Sequence, residues 1–212
     1  MPFHIKPPAV KKKQVKTNIN KSIPQPPFRL LINGPSGSGK TVMCTCLCTE
    51  YKKYFKKIIV LSPSLEQYTG VINRRHDKLH LKTDDESSLE FIKHHYEKAK
   101  RRTKKVPMLI ILDDCMGILG SDYFKELLLT VRKEAVSLIF MTHRFNFTEP
   151  IVRTNVTHLC LLKTSKNELD MVAKYFPHSD LYKKYDKIKD KKYSFMYISH
   201  NFCRDSFTDN DL

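Results

Sequence analysis

The sequence predicts an α/β fold in which helices cover both faces of a mostly parallel sheet. Short apolar runs alternate along the chain with longer segments of helical periodicity. The apolar runs also lack the alternating polar residues of a half-exposed strand, which indicates strands buried on both faces. A length of 212 residues with 41% hydrophobic residues suffices for one such core and hardly for two.

The predicted elements follow one another from Phe28 onward. The first strand ends in a Gly-rich turn, and a helix of about four turns begins near Lys40. Further apolar runs and amphipathic segments continue the alternation to the end of the chain. Strands are predicted at residues 28–33, 56–63, 106–115, 136–143 and 156–163, helices at 40–55, 87–102 and 121–134, and two short helices and a last strand within 167–200.

Composition divides the chain into three parts. Residues 1–27 contain six lysines, six prolines and no acid, so we expect a flexible basic arm. Residues 28–165 carry the strand and helix alternation of the core. Residues 166–212 are predicted to form a helical and strand extension that packs on the core.

The charge balance is strongly basic, with 38 Lys and Arg against 22 Asp and Glu and a formal net charge of +16. Such an excess favours a polyanionic partner, through counterion release and electrostatic steering. Two clusters stand out, at residues 93–105 and 182–192, and their lysines suit phosphate contacts that do not depend on base sequence. The alternative is a set of solvated helix faces.

Cysteine usage and hydropathy indicate an intracellular protein, cytosolic or nuclear, that is not secreted. No apolar run is long enough to cross a membrane, and residues 1–13 lack the apolar core of a signal peptide. The six cysteines include no C-x-x-C pair, so we expect reduced, mostly buried thiols and no zinc site.

The segment from Gly34 to Thr41, GPSGSGKT, matches the phosphate-loop pattern G-x-x-x-x-G-K-[ST] between a strand and a helix. Its glycines let backbone N–H groups turn toward phosphate oxygens, and the helix N-terminus adds positive potential. Lys40 is expected to reach the β- and γ-phosphates of ATP, and the Thr41 hydroxyl to ligate Mg²⁺. The predicted nucleotide-binding residues are Gly34, Pro35, Ser36, Gly37, Ser38, Gly39, Lys40 and Thr41.

Two acids, Asp113 and Asp114, directly follow the apolar run LIIL. In a parallel sheet this end of the strand faces the phosphate loop. Asp113 is the candidate second Mg²⁺ ligand, in the Walker B position, and Asp114 is the candidate base for a water that attacks the γ-phosphate. A dedicated base favours an NTP hydrolase over a kinase. A GTPase switch is not favoured, because TSKNELD (residues 164–170) has Lys and Asn in the wrong order for N-K-x-D.

The strand VSLIFMTH ends in Thr142 and His143. In motor-type P-loop ATPases an additional strand lies between the phosphate-loop strand and the Walker B strand, and its polar end senses the γ-phosphate or orients water. His143 is the candidate for this role, with Thr142 beside it. An ordinary exposed histidine is the alternative.

A single domain of this kind usually completes its site with an arginine from a neighbouring subunit. Arg132, Arg144 and Arg153 all lie between the Walker B strand and the fifth predicted strand. Arg132 at a helix end and Arg153 in a loop are the two candidates. Either is also interpretable as a surface arginine, and the sequence does not separate them.

These residues together resemble the FtsK/HerA-type viral genome-packaging ATPases, in the poxvirus-type branch of large DNA viruses, virophages and Polinton-like elements. The resemblance covers about residues 28–163, and its specific part is the LDDC ending together with the strand and the R-T-N arrangement after it. It implies a RecA-like ASCE P-loop NTPase fold, with Asp113 as Walker B residue and Asp114 as catalytic acid. The family commonly has Gln where this chain has His143.

The resemblance implies an Mg²⁺-dependent ATPase that moves double-stranded DNA into a capsid. It also implies a homo-oligomeric ring, usually a hexamer, with capsid vertex proteins as further candidate partners. Three alternatives stay open. They are a P-loop kinase of nucleotides or small molecules, a helicase-type DNA motor, and a DNA-binding module that holds nucleotide only structurally.

Overall fold

The computed structural model describes residues 19–69, 79–80, 86–191 and 193–204. Eight strands form one sheet. They are β1 (Arg29–Asn33), β2 (Lys57–Leu61), β3 (Leu79–His80), β4 (Met108–Leu112), β5 (Val136–Thr142), β6 (His158–Leu161), β7 (Met196–Ser199) and β8 (Cys203–Arg204).

Helices connect most of the strands. They are α1 (Lys40–Tyr51), α2 (Glu66–Thr69), α3 (Glu86–Lys100), α4 (Met116–Gly120), α5 (Asp122–Thr130), α6 (Pro150–Asn155), α7 (Lys166–Tyr175) and α8 (Leu181–Ile188). Two 3₁₀ turns, Val131–Glu134 and Phe145–Phe147, precede β5 and α6.

The strands lie in the order β3-β2-β4-β5-β1-β6-β7-β8. All pairs from β3 to β6 are parallel, so the predicted mostly parallel sheet is confirmed. β5 lies between the phosphate-loop strand β1 and the Walker B strand β4, as expected for a motor-type ATPase. β7 and β8 add an antiparallel edge.

Alternate side chains of each central strand enter two separate cores. In β1, Leu30 and Ile32 pack on the face covered by α1, and Leu31 packs on the opposite face. Every residue of β4 and β5 is buried. The side-chain period of two therefore supplies apolar groups to both helical layers, which is why these strands are apolar throughout.

The end of the predicted N-terminal arm contacts the core. Residues 1–18 lie outside the described part of the chain, but Ile19 and Ile23 are each only 6% exposed and pack on the α1 face. The hydroxyl of Tyr51 donates to the Pro24 carbonyl at 2.7 Å. Contact with the core thus begins before residue 28. The composition of this Pro-rich segment did not predict it, because it depends on two isoleucines that pack on an apolar surface of the folded core.

The predicted C-terminal extension packs on the core. β7 pairs with β6, and the side chains of α7 and α8 enter the core on the side opposite α1.

Of the three closely spaced cysteines in α1, Cys44 and Cys48 are buried and Cys46 is exposed.

Within the described residues, no helix has both the length and the apolar character required to cross a bilayer.

Candidate nucleotide-binding site

The loop between β1 and α1 curls tightly at the carboxyl edge of the sheet. Gly37 and Gly39 have φ angles of 72° and 99°, a left-handed region that favours glycine. A Cβ atom on Gly34 would lie 2.7 Å from Oγ of Ser38 and 2.9 Å from Cβ of Leu162. Gly37 and Gly39 therefore allow the backbone conformation of the loop, and Gly34 allows its close packing. The loop leads directly into the N-terminus of α1.

Lys40 begins α1 and is only 6% exposed. Its ammonium donates to the carbonyls of Gly34 at 2.9 Å and Pro35 at 3.2 Å. Burial lowers the pKa of Lys40 below its ordinary value, while the carboxylates of Asp114 and Asp113 raise it. The ammonium is thus held inside the loop by neutral carbonyl groups, where a phosphate anion would stabilise it.

Asp113 lies at the end of β4, where three hydroxyl groups converge on Oδ2. Tyr68 donates at 2.9 Å, and Ser62 and Thr41 donate at 3.2 Å each. The side chain is 3% exposed, and Oδ1 has no hydrogen-bond partner among the described residues. Burial raises the pKa of Asp113 above its ordinary value, and these hydrogen bonds oppose that effect.

The residues around Asp113 fit a divalent cation. Mg²⁺ takes oxygen ligands, and a hydroxyl from Thr41 lies beside a buried carboxylate that has an unpartnered oxygen. A cation would also supply the charge compensation that this carboxylate lacks.

Asp114 follows with a φ angle of 55°, which is uncommon for a residue with a side chain. The change of backbone direction turns Asp114 away from Asp113 and toward the end of β5. Its Oδ1 lies 3.1 Å from Nε2 of His143. Strained backbone of this kind is concentrated at functional sites, where the surrounding structure holds it.

His143 connects Lys40 to Asp114. Nδ1 of its ring lies 3.2 Å from the Lys40 ammonium, which can only donate. Nδ1 therefore accepts, and Nε2 lies 3.1 Å from Oδ1 of Asp114, a close contact without hydrogen-bond geometry, since that oxygen has no hydrogen-bond partner among the described residues. The three predicted residues thus form one continuous chain of polar contacts at the mouth of the loop.

Thr142 does not share the position of His143. It is fully buried, and its Oγ1 accepts from Nδ2 of Asn33 at 3.0 Å across the β1–β5 pair. This pair ties the start of the phosphate loop to the end of β5.

The arginine candidates differ sharply in environment. Arg153 is 8% exposed, donates to the carbonyls of Phe145, Asn146 and Thr148, and lies over the ring of Tyr175. These contacts within the chain hold its guanidinium in the turn before α6.

Arg144 and Arg132 lie on either side of β5. Arg144, next to His143, is exposed, and its guanidinium lies 5.2 Å from the ring centre of Phe147. Arg132 lies in the 3₁₀ turn after α5, and its side chain is outside what the structure describes.

Several site residues were not predicted. Ser62 follows β2 at the same sheet edge as the acids, so its position after an apolar strand was a usable signal. Tyr68 and Tyr193 gave no such signal, because α2 and the segment before β7 reach the loop only through the tertiary fold. A cavity beside Pro35–Ser38 is also lined by Lys163, Lys189, Lys191 and Tyr193. Part of the second basic cluster therefore faces the phosphate loop.

A family model described as "Poxvirus A32 protein" matches residues 15–204. The chain belongs to the poxvirus A32 protein family. This confirms the poxvirus-type resemblance predicted from residues 28–163.

Two curated relatives carry the name "DNA packaging protein OPG160". The variola virus protein is 26% identical over 174 residues, which cover 77% of this chain and 63% of the relative. The vaccinia virus (strain Copenhagen) protein is 27% identical over 161 residues, which cover 71% of this chain and 58% of the relative. The chain thus spans less than two thirds of the length of these relatives.

Solved structures of P-loop ATPases share the fold. The genome packaging NTPase B204 from Sulfolobus turreted icosahedral virus 2, in complex with ATP-γ-S, matches with a TM-score of 0.65 at 18% identity, over 87% of this chain and all of that chain. The pCW3 conjugation coupling protein TcpA matches with a TM-score of 0.60 at 12% identity, over 86% of this chain and 61% of that chain.

Proposed function

We propose that this protein is an Mg²⁺-dependent ATPase that couples hydrolysis to movement of double-stranded DNA in viral genome packaging. The contact chain Lys40–His143–Asp114 beside the phosphate loop carries the proposal. It connects the cation that would hold the γ-phosphate to an acid positioned to activate water. The names of the variola and vaccinia relatives support DNA as the load.

In the proposed reaction, Asp114 accepts a proton from a water molecule as the water oxygen bonds to the γ-phosphorus. The bond between that phosphorus and the β–γ bridging oxygen breaks, and ADP leaves with the pair of electrons. Lys40 stabilises charge on the phosphate oxygens. His143 would position Asp114 through Nε2, which lies 3.1 Å from Oδ1, and its contact with Lys40 would make that position sensitive to what occupies the loop.

Thr41 and Asp113 would hold Mg²⁺. The ion would neutralise charge on the β- and γ-phosphates. The hydroxyls of Ser62 and Tyr68 keep the carboxylate of Asp113 in place through the oxygen that they share with Thr41.

A small-molecule kinase has less support. A kinase uses the hydroxyl of its acceptor as nucleophile, whereas here a second acid, Asp114, is oriented by His143 at the loop. The strand order, with β5 between β1 and β4, also agrees with motor-type ATPases.

The basic cluster at the C-terminal end of α3 and in the residues that follow it is the surface that best fits the DNA backbone. Lys93 and Lys100 pair with Glu90 and Glu97 on the same helix. Lys98, Arg101 and Arg102 are exposed, and no carboxylate of the described residues lies within ion-pair distance of them. Cations without local partners release counterions when they bind phosphates, which favours binding independent of base sequence.

We further propose a homo-oligomeric ring, with a hexamer favoured, in which Arg144 or Arg132 reaches the site of the neighbouring subunit. Arg144 is exposed directly after His143, and the adjacent Phe147 is 65% exposed. An exposed arginine with an exposed aromatic ring is typical of a contact surface. Such a ring would act inside the infected cell and dock on capsid vertex proteins.

The decisive experiment measures ATP hydrolysis with and without duplex DNA across a salt series. We expect DNA to stimulate the rate, most strongly at low salt. We also expect Asp114→Asn to bind ATP with unchanged affinity and to lose about 10²–10⁴-fold in kcat, the range for removal of a general base. Asp122→Asn, the same change at an exposed position on α5, should retain the wild-type rate.

A rate that is indifferent to DNA at every salt concentration would rule out the motor. A wild-type rate in Asp114→Asn would rule out the proposed base.

A further inference from the structure

An apolar cleft of about 430 Å³ lies next to the phosphate loop, along the exposed side of α1. Its volume is in the range of small-ligand sites. It joins the polar cavity of Lys40 and Asp113, because Gly39, Val42 and Tyr193 line both. The wall of the cleft is formed largely by Val42, Met43, Cys46, Leu47, Leu162 and Phe195.

The direction of a bound triphosphate follows from the loop. Lys40 takes the β- and γ-phosphates, and the acids lie on the γ side. The nucleoside is attached at the α-phosphate and must therefore leave the loop away from Asp113 and Asp114. The apolar cleft meets this condition, because neither acid lines it and it meets the loop at Gly39 and Val42. The other neighbouring cavity is lined by Lys163, Lys189 and Lys191 together with one acid, Asp190, and this net positive lining suits phosphate oxygens better than a base.

Tyr193 forms the boundary between the cleft and the loop. A Cβ atom on Gly39 would lie 3.4 Å from Cδ1 of its ring, so the ring lies directly over the loop. The side chain is 66% exposed, and its φ angle of 61° is strained for a residue other than glycine. An aromatic ring held beside a phosphate site in this way is suited to stack on a flat heterocycle.

We propose that this cleft is the nucleobase subsite, that Tyr193 stacks on the base, and that the subsite recognises purines by apolar contact. Among the described residues that line it, Glu50 is the single charged side chain. A pocket with so few polar groups binds a purine more tightly than a pyrimidine, because the purine buries a larger area. It discriminates only weakly between adenine and guanine. The inference rests on the proposed function only in that a nucleotide occupies the loop.

The N-terminal segment contributes to the same subsite. Ile23 lines the cleft and packs on the α1 face, and Tyr51 of that helix donates to the neighbouring Pro24 carbonyl. A base in the cleft would therefore contact residues from both ends of the chain, because Tyr193 and Phe195 lie close to the last strands.

The test compares dissociation constants by calorimetry, with Mg²⁺, for ATP, GTP, CTP and inorganic tripolyphosphate. For the wild type we expect GTP to bind within about fivefold of ATP and CTP to bind about tenfold more weakly. Tyr193→Ala should weaken ATP and GTP about tenfold, the effect of losing one stacked ring, and leave tripolyphosphate within about twofold. Tyr193→Phe should match the wild type.

Tyr182→Ala is the matched control, because Tyr182 is 46% exposed on α8 and does not line the cleft. Unchanged ATP binding in Tyr193→Ala, or an equal loss for tripolyphosphate, would overturn the stacking role. A preference for ATP over GTP above about 100-fold would overturn recognition by apolar contact. Because every readout is binding, absent hydrolysis or absent DNA stimulation would refute the proposed function and leave the subsite standing.

Discussion

At the scale of single residues, Asp113 combines a functional position with an unfavourable environment. Its carboxylate is buried, three hydroxyls occupy Oδ2, and Oδ1 has no hydrogen-bond partner among the described residues. Burial raises its pKa in spite of those hydrogen bonds. In the absence of a cation, the ionised form of Asp113 therefore destabilises the folded state.

Asp113→Asn should stabilise the nucleotide-free and metal-free protein at neutral pH. The folded-state pKa is raised, so ionisation of Asp113 lowers stability as pH rises above the ordinary carboxyl pKa, and Asn removes that effect. We expect Tm to rise by about 2–4 °C at pH 7, the shift that ~1 kcal/mol gives in a domain of this size. The difference should shrink at acid pH, where Asp113 is protonated in both states.

Thermal unfolding as a function of pH measures this effect, with the exposed Asp122→Asn as control. The same Asp113→Asn protein should lose the stabilisation that Mg²⁺ and ATP give to the wild type. A Tm at or below the wild-type value at pH 7 would contradict the interpretation of Asp113 as a destabilising charge.

The position of His143 was predictable from the sequence, but its tautomer was not. Its position after an apolar strand predicted a polar group at the loop, together with Asp113 and Asp114. Which ring nitrogen carries the proton depends on Lys40 and Asp114, which contact the ring from two other elements. That assignment required the assembled sheet edge.

At the scale of elements, the turn between β5 and α6 is held by Arg153. Its guanidinium donates to three backbone carbonyls within residues 145–148 and lies near the rings of Phe145 and Tyr175. All three hydrogen bonds come from Nη1, and Nε is buried without a hydrogen-bond partner among the described residues. Sequence spacing alone made Arg153 and Arg132 equivalent candidates, because it does not show which arginine is buried.

Arg153→Ala should lower Tm markedly, because it removes the guanidinium donor from the buried Thr148 carbonyl, and an unpaired buried carbonyl costs about 1–3 kcal/mol. In contrast, Arg144→Ala should leave Tm unchanged and reduce kcat only in the assembled ring. Differential scanning fluorimetry and ATPase rates separate these outcomes. A wild-type Tm together with a loss of the ATPase rate in Arg153→Ala would instead indicate that Arg153 acts at the subunit interface.

The two shortest strands were not predicted from the sequence, for a physical reason. β3 and β8 have two residues each, too few to show a hydrophobic period, and they exist through pairing with β2 and β7. The long buried strands β4 and β5 were predictable, because each needs apolar side chains on both faces.

At the scale of the whole molecule, the positive charge is concentrated in two places. The cluster at the C-terminal end of α3 includes Lys98, Arg101 and Arg102, which lack acidic partners among the described residues. The cluster around α8 places Lys189 and Lys191 beside the phosphate loop. The net charge of +16 alone does not distinguish a DNA surface from a nucleotide site.

Replacing Lys98, Arg101 and Arg102 together by Gln should weaken duplex DNA binding at all base sequences. The slope of log K against log salt should fall in magnitude by about 3, since each phosphate contact contributes ~0.9. Fluorescence anisotropy across a salt series measures this slope. Gln at Lys183 and Lys187, exposed on α8, serves as the control and should have a smaller effect. An unchanged slope in the α3 variant would exclude α3 from the DNA surface.

The sequence by itself determined the α/β fold, the phosphate loop and the two acids after β4. Each depends on local pattern: a glycine-rich turn, an apolar strand, and residues at its carboxyl end. Only the tertiary structure decided that His143 connects Lys40 to Asp114, that Arg153 is internal, and that Tyr193 covers the loop. These arrangements join residues far apart in sequence, and their energies come from contacts that exist only once the sheet has assembled.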